Sequence, residues 1–315
     1  MAHSSNHSAN NGSLTRRSFL AAGLVGLSAV SLHPALSLAE TSTPHLGLAR
    51  GEPGPATVAA VKIMGGMGAF VREGDNVLIK PNMSFSSGPD AAVNTHPEVV
   101  EALARMCLQS GASRVYIMDH TLRDPAACRR ESGIGAIAET FSGKVEVQTP
   151  SSSHRFQKAD IPRSKQLGSS DFLKEALAAD VLIAAPVAKH HGSTGVSLSM
   201  KGMMGLILDR GAFHWKYDLN TAIVDLCTKL RADLTVVDAT RALTTDGPSG
   251  PGEVARPNTV IASRDMVAAD AKAVSLVQWY GRSIAPEKVG HIRQAHERGF
   301  GRMDVENLST GTIEA

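Results

Sequence analysis

Residues 181–205 read VLIAAPVAKHHGSTGVSLSMKGMMG. The apolar run Val181–Ala185 is too short for a buried helix and stops at Pro186, so it reads as a buried strand. A polar connection containing Gly192 and Gly195 follows. From Ser197 onward, Met200, Met204 and Ile207 fall near one face of a helix, flanked by Leu198 and Met203. Strand, connection and helix form the repeating unit of an α/β fold.

The same unit recurs on both sides. Short apolar strands are predicted at 76–79, 114–118, 144–147, 181–185, 234–237 and 259–262. Helical spacing covers 56–70, 96–109, 124–140, 171–178, 197–208, 217–231, 266–280 and 286–298. The helix at 96–109 is the best signposted: Thr95 can cap it, Pro97 lies in its first turn and Gly111 follows its end. Residues 151–169 read as a long loop or hairpin. Eight clear strand–helix units, as a barrel requires, are missing. The expectation is an open, mostly parallel, doubly wound sheet with helices on both faces.

The chain has 315 residues and is 43% hydrophobic and 20% charged, with a formal charge of +2. That charge is too weak to recruit a nucleic acid, and 4% aromatics supply no base-stacking platform. Cys107, Cys128 and Cys227 are widely spaced and form no CxxC pair, so neither an iron–sulfur cluster nor a Cys-based zinc site is expected. Cys107 and Cys227 fall in apolar helical patterns and read as buried thiols.

The N-terminus has its own logic. A polar stretch precedes Thr15-Arg16-Arg17-Ser18-Phe19-Leu20, and a mildly apolar run softened by Gly and Ser follows it. This resembles a twin-arginine export signal, with Ser37-Leu38-Ala39 as its cleavage region. The expected organisation is a signal over 1–39, a linker over 40–55 and one α/β domain over 56–315. The implied location is the periplasm or another extracytoplasmic space, reached through the twin-arginine machinery. The mature chain is expected to have no stable membrane span.

Open α/β sheets bind ligands at the carboxyl ends of their strands. Lys80-Pro81-Asn82 follows one predicted strand, Asp119-His120 the next, Lys189-His190-His191 a third and Asp238 a fourth. Pro81 holds Lys80 extended at its strand tip, although Pro-Asn equally makes a plain turn. Adjacent histidines usually point to different sides, so at most one of His190 and His191 is expected to face the crevice. Lys201 interrupts an apolar helix and either reaches solvent or points into the crevice. Arg210, His214 and Trp215 share a later loop. Asp246-Gly247-Pro-Ser-Gly-Pro-Gly252 is a structured turn, and its backbone N–H groups suit an anion. The methionines read as core filling.

Taken together, VLIKPN, PVAKHHGSTGVSLSMKGMMG, LTVVDAT, DGPSGPG and SRDMVAADAKAV resemble the family known as domain of unknown function 362, from about residue 76 onward. The resemblance implies a fold and a site made of Lys80, Asn82, Lys189, His191, Lys201, His214, Asp238, Asp246 and Asp270. One departure is Gly202, where the family commonly has Asn, so one polar contact is missing. Some members carry ferredoxin-like clusters, which these cysteines do not support.

Three functions follow. The first is an enzyme acting on a small carboxylate or phosphate. Lys189, His191, Asp238 and Lys201 would carry the chemistry, and Lys80, Asn82, Asp246 and Gly247 would bind the substrate. The second is a divalent-metal protein using His190 or His191, His214 and one of Asp119, Asp238 and Asp246. The third is a non-catalytic anion-binding protein.

Overall fold

The computed structural model describes residues 43–315, so the twin-arginine segment and the start of the expected linker lie outside the described residues. The chain opens with β1 (Leu46–Arg50), α1 (Pro53–Ile63), β2 (Asn76–Pro81), α2 (Pro97–Gln109) and β3 (Arg114–Met118). It continues through α3 (Pro125–Glu131), β4 (Val145–Gln148), β5 (Phe156–Asp160), β6 (Ser169–Leu173) and α4 (Lys174–Ala178). Next come β7 (Val181–Ala185), β8 (Val187–His191), β9 (Gly195–Val196), α5 (Leu198–Gly202), α6 (Ala212–Trp215) and α7 (Leu219–Lys229). The remainder is β10 (Leu234–Leu243), β11 (Val254–Ala255), β12 (Thr259–Ser263), α8 (Met266–Leu276), α9 (Gly290–Glu297) and β13 (Thr310–Glu314).

The main sheet runs β13-β1-β12-β10-β7-β2-β3-β4 and is open. Strands β10, β7, β2, β3 and β4 are mutually parallel, whereas β12 is antiparallel to both β10 and β1. The fold is therefore α/β with a mostly parallel, mixed sheet. Alternation along β2 and β7 divides the core in two. Val77, Ile79 and Ile183 meet α1 and α2 on one face, and Leu78, Leu182 and Ala184 meet α5, α7 and α8 on the other. Helices therefore cover both faces, as expected.

Four local expectations change. Residues 46–50, expected as linker, form β1 because LGLAR fills the slot between β12 and β13, with Leu46 and Ala49 fully buried. Lys189-His190-His191, expected as a loop, lies on β8, which pairs in parallel with the extended end of β10 and antiparallel with β9. The helix expected over 197–208 is one α-turn followed by a 3-10 turn over Met203–Leu206, because Gly202 and Gly205 weaken it. Residues 169–173, in part expected as helix, pair with β5 as a small separate hairpin.

From β2 the chain moves outward to β3 and β4, then returns across β2 to β7 and β10. The winding direction reverses between β2 and β7, and the crevice beyond the carboxyl ends of those two strands is where the site lies.

Candidate functional site

A cavity of about 180 Å³ opens there. Its charged lining is Lys80, Lys189, Lys201, Arg210 and a single carboxylate, Asp119. Lys80 leaves the end of β2 and Asp119 the end of β3, and their charges meet 3.1 Å apart, both buried. The other Asp119 oxygen accepts from Met83 N at 2.8 Å and Ser84 Oγ at 2.9 Å. Lys80 Nζ also donates to the Pro81 carbonyl. Burial pushes the Lys80 ammonium below the usual lysine range, and Asp119 opposes that shift.

Lys189 comes from β8. Its Nζ donates to the Val93 carbonyl at 2.5 Å and stands 4.8 Å from the Phe85 ring centre. Among the described residues no carboxylate pairs with it. Burial, with Lys201 and Lys80 nearby, brings it down to about 7. Lys201 comes from α5 and has neither a hydrogen-bond nor an ion-pair partner among the described residues, and burial brings it down to about 8. Arg210 is anchored by a 2.7 Å bond from Nη2 to the Thr121 carbonyl. It sits in a loop already visible in the sequence, but nothing in the sequence distinguishes it from a surface arginine. Ser84, Phe85 and Met204 also line the cavity without a prior signal.

The two histidines of β8 separate as expected. His191 lines the cavity, and its Nδ1 accepts from Ser193 N at 3.1 Å. Burial, with Lys201 beside it, holds the ring neutral down to about 3. With Nδ1 accepting, the proton of the neutral ring lies on Nε2, so His191 presents a hydrogen-bond donor to the cavity. His190 turns the other way. Its Nδ1 accepts from Gly247 N at 3.2 Å, and its ring meets Tyr280 edge-on. His214 lines the cavity and stacks on His191 with ring centres 6.2 Å apart.

Several predicted residues prove to be supports. Asn82 lines the cavity, but its Oδ1 accepts from Val187 N at 3.0 Å, which ties the end of β2 to β8. Asp238 does not reach the cavity. It is fully buried, pairs with Arg241 at 3.0 Å and accepts from His96 N and Thr240. Those bonds occupy its carboxylate, so the catalytic role expected of it is withdrawn. Asp246 and Gly247 likewise stand outside the lining. Gly247 abuts the backbone of His190, where a Cβ would come within 2.0 Å of the carbonyl oxygen, and the turn brings Pro248 to the cavity wall instead. Asp270, fully buried on α8, accepts from Ser199 N at 2.9 Å and Met200 N at 3.0 Å and so fixes the start of α5. That start is strained, because Leu198 has φ of 53°, and Asp270 captures the two N–H groups that follow. Asp270 therefore positions Lys201.

Gly205 explains part of the GMMG motif. A Cβ there would lie 2.0 Å from Asp119 Oδ1 and 2.4 Å from Lys80 Cε. Gly202 is different: its nearest neighbour would be Asn82 Nδ2 at 3.8 Å.

The expected metal ligands do not converge. His190 faces away, Asp119 is engaged by Lys80, and the remaining charged lining is cationic. Among the described residues no three His, Cys, Asp or Glu side chains come together as a metal would need. The donor set therefore does not fit a divalent ion. All three cysteines are buried free thiols. Among the described residues no helix is long and apolar enough to cross a membrane.

The family model described as "Domain of unknown function (DUF362)" matches residues 77–275, which contain every charged residue of the cavity. A thylakoid-associated protein of Synechocystis sp. is 27% identical over 259 residues, 75% of each chain. Among solved structures, the lactate racemase apoprotein from Thermoanaerobacterium thermosaccharolyticum aligns with a TM-score of 0.45 and 13% identity, over 73% of this chain and 57% of that one. A Thermotoga maritima protein aligns with a TM-score of 0.42 and 12% identity, over 71% and 59%. The alignment thus spans less than two thirds of either solved chain. With more than half of its length matched by the family model, this chain belongs to the DUF362 family.

Proposed function

We propose that this protein is an enzyme acting on a small carboxylate or phosphate held in the cavity between β2, β3, β8 and α5. The observation that carries the reading is Lys201. A half-buried ammonium lines the cavity with no hydrogen-bond or ion-pair partner among the described residues, beside Lys189, Arg210 and a Lys80 that takes up the one carboxylate of the lining. Burying cations without compensation is costly, and an anionic ligand removes that cost. Lys201 and Arg210 bind the acid group, and His191 donates to it from Nε2. Lys189, at about 7, gives up and takes back a proton near neutrality and is the acid–base group. Lys80, held by Asp119, sets the positive field of the floor.

The test has two arms. Titration calorimetry with inorganic phosphate and with acetate measures anion binding in the wild type and in Lys201→Ala, where binding is expected to be lost. A panel of small carboxylates and phosphate esters is then assayed for turnover, with Lys189→Ala as the control. Turnover that survives Lys189→Ala sinks the acid–base role, and anion binding that survives Lys201→Ala sinks the site. Binding without turnover across the panel would favour a capture protein.

Export is part of the same reading. Arg16-Arg17 and the apolar run after them support delivery of a folded protein across the membrane. A reporter fused after residue 55 is expected to be exported, and replacing both arginines by lysine is expected to block it.

A further inference from the structure

Five large hydrophobic side chains are exposed among the described residues: Val58, Leu122, Trp215, Tyr280 and Ile313. One of them lines the cavity, and two stand next to its wall, by sequence or by a hydrogen bond. Leu122 lines the cavity itself, Trp215 follows the lining residue His214, and Tyr280 bonds to the Asp246 turn that brings Pro248 to the wall. Isolated exposed hydrophobics need no explanation, but an exposed leucine lining a polar cavity, with an exposed tryptophan following another lining residue, does.

Leu122 is not exposed because its loop is loose. The loop is pinned by His120 N to the Gly205 carbonyl at 2.8 Å, by Leu122 N to the Ser84 carbonyl at 3.3 Å and by Arg210 to Thr121 at 2.7 Å. The side chain is nevertheless 54% exposed. Trp215 is presented in the same way. Phe213 anchors α6 in the core and packs on Tyr217, Asp209 accepts from Ala212 N, and Trp215 is left 77% exposed. Inside the opening, Phe85, Met204 and Pro248 continue the apolar wall down to the lysines. The cavity therefore has a cationic floor and an apolar wall that runs out to the rim. Its volume of about 180 Å³ is roughly that of six waters, room for an acid group and a few carbons. Anything longer must lie along the rim.

We propose that the ligand is an amphiphilic anion, with its acid group among Lys201, Lys189 and Arg210 and a hydrocarbon arm running over Phe85, Met204 and Leu122 to Trp215. The inference rests on the anion reading above and adds the chemistry of the other end. Inorganic phosphate, acetate, hexanoate and octanoate are the probes, titrated calorimetrically below any micelle concentration. Each methylene withdrawn from water tightens binding by up to about fourfold, so octanoate is expected to bind at least about tenfold tighter than acetate. Leu122→Ser and Trp215→Ser are each expected to weaken octanoate about fivefold while leaving acetate and phosphate unchanged. Equal affinity along the chain series overturns the proposal but leaves the anion site standing. A chain-length effect untouched by both variants places the arm elsewhere and also overturns it. A changed oligomeric state in Trp215→Ser with unaltered octanoate binding reassigns the rim to protein contact. Failure of phosphate and acetate to bind the wild type removes the anion site, and this proposal with it.

Discussion

The backbone of Gly205 lies against Asp119 so closely that a methyl group added there would stand 2.0 Å from the carboxylate. The Lys80–Asp119 pair at the cavity floor therefore depends on a missing side chain. Gly205→Ala is expected to cost about 1–3 kcal/mol through overpacking and to weaken phosphate binding as the pair is displaced. Gly202→Ala, whose nearest contact would be 3.8 Å away in a helix, is expected to be neutral or stabilising by up to about 1 kcal/mol. Urea unfolding of both variants checks the contrast, and equal losses would refute it.

Lys189 at about 7 and Lys201 at about 8 lie far below the usual lysine range because burial strips their water. An anion favours their charged forms. Phosphate binding is expected to take up protons near neutrality and to weaken as pH rises from about 6 to 9. Stability of the ligand-free protein runs the other way. The unfolded lysines hold protons that the folded ones release, so stability rises with pH between about 7 and 10. Calorimetry in two buffers of different ionisation enthalpy, with denaturation across the same range, measures both signs.

Asp270→Ala leaves Ser199 N and Met200 N without their acceptor. Each orphaned buried group costs about 1–3 kcal/mol, and α5 loses the cap that offsets the strain at Leu198. Both stability and phosphate affinity are expected to fall together, because Lys201 moves with the helix. Stability lost with affinity retained would show that Asp270 has no part in positioning Lys201.

His291 is fully buried, neither ring nitrogen has a partner among the described residues, and burial holds it neutral down to about 3, with Lys201 acting in the same direction. The unfolded histidine takes up a proton near pH 6.5, which the folded one refuses until about 3. Stability is therefore present above pH 6.5 and drains away as pH falls, at up to about 1.4 kcal/mol per pH unit. His291→Leu is expected to flatten that slope and to leave neutral stability unchanged or higher. An unchanged acid profile would count against it.

Because Asp119 is engaged by Lys80 and, among the described residues, no third ligand joins His191 and His214, chelation is expected to leave phosphate affinity and stability unchanged. Calorimetry before and after EDTA dialysis checks this. A large loss would restore the metal reading.

Much of this architecture is legible in the sequence because buried parallel strands are short apolar runs and the residues released at their ends are few. Lys80, Asp119, Lys189 and His191 are found by that rule alone, and Lys201 is found as a charge inside an apolar helix. Asp238 obeys the rule and is nevertheless a support, because its partner Arg241 lies three residues along an extended strand and reads as ordinary. Arg210 and Leu122 fail the opposite way: they lie in loops, and only the tertiary pinning of those loops turns them toward the cavity. β1 was misread as linker because LGLAR has no alternation and finds its neighbours 200 residues and more away in sequence.

That last pairing has a consequence in time. β1 runs beside β13 from Leu46 opposite Thr310 to Arg50 opposite Glu314. While the chain is being made, β1 has an open flank until Thr310–Glu314 has emerged. Contacts of such long sequence separation form late. Until β13 is available, the nascent chain carries an edge at β1 ready to pair with its neighbours.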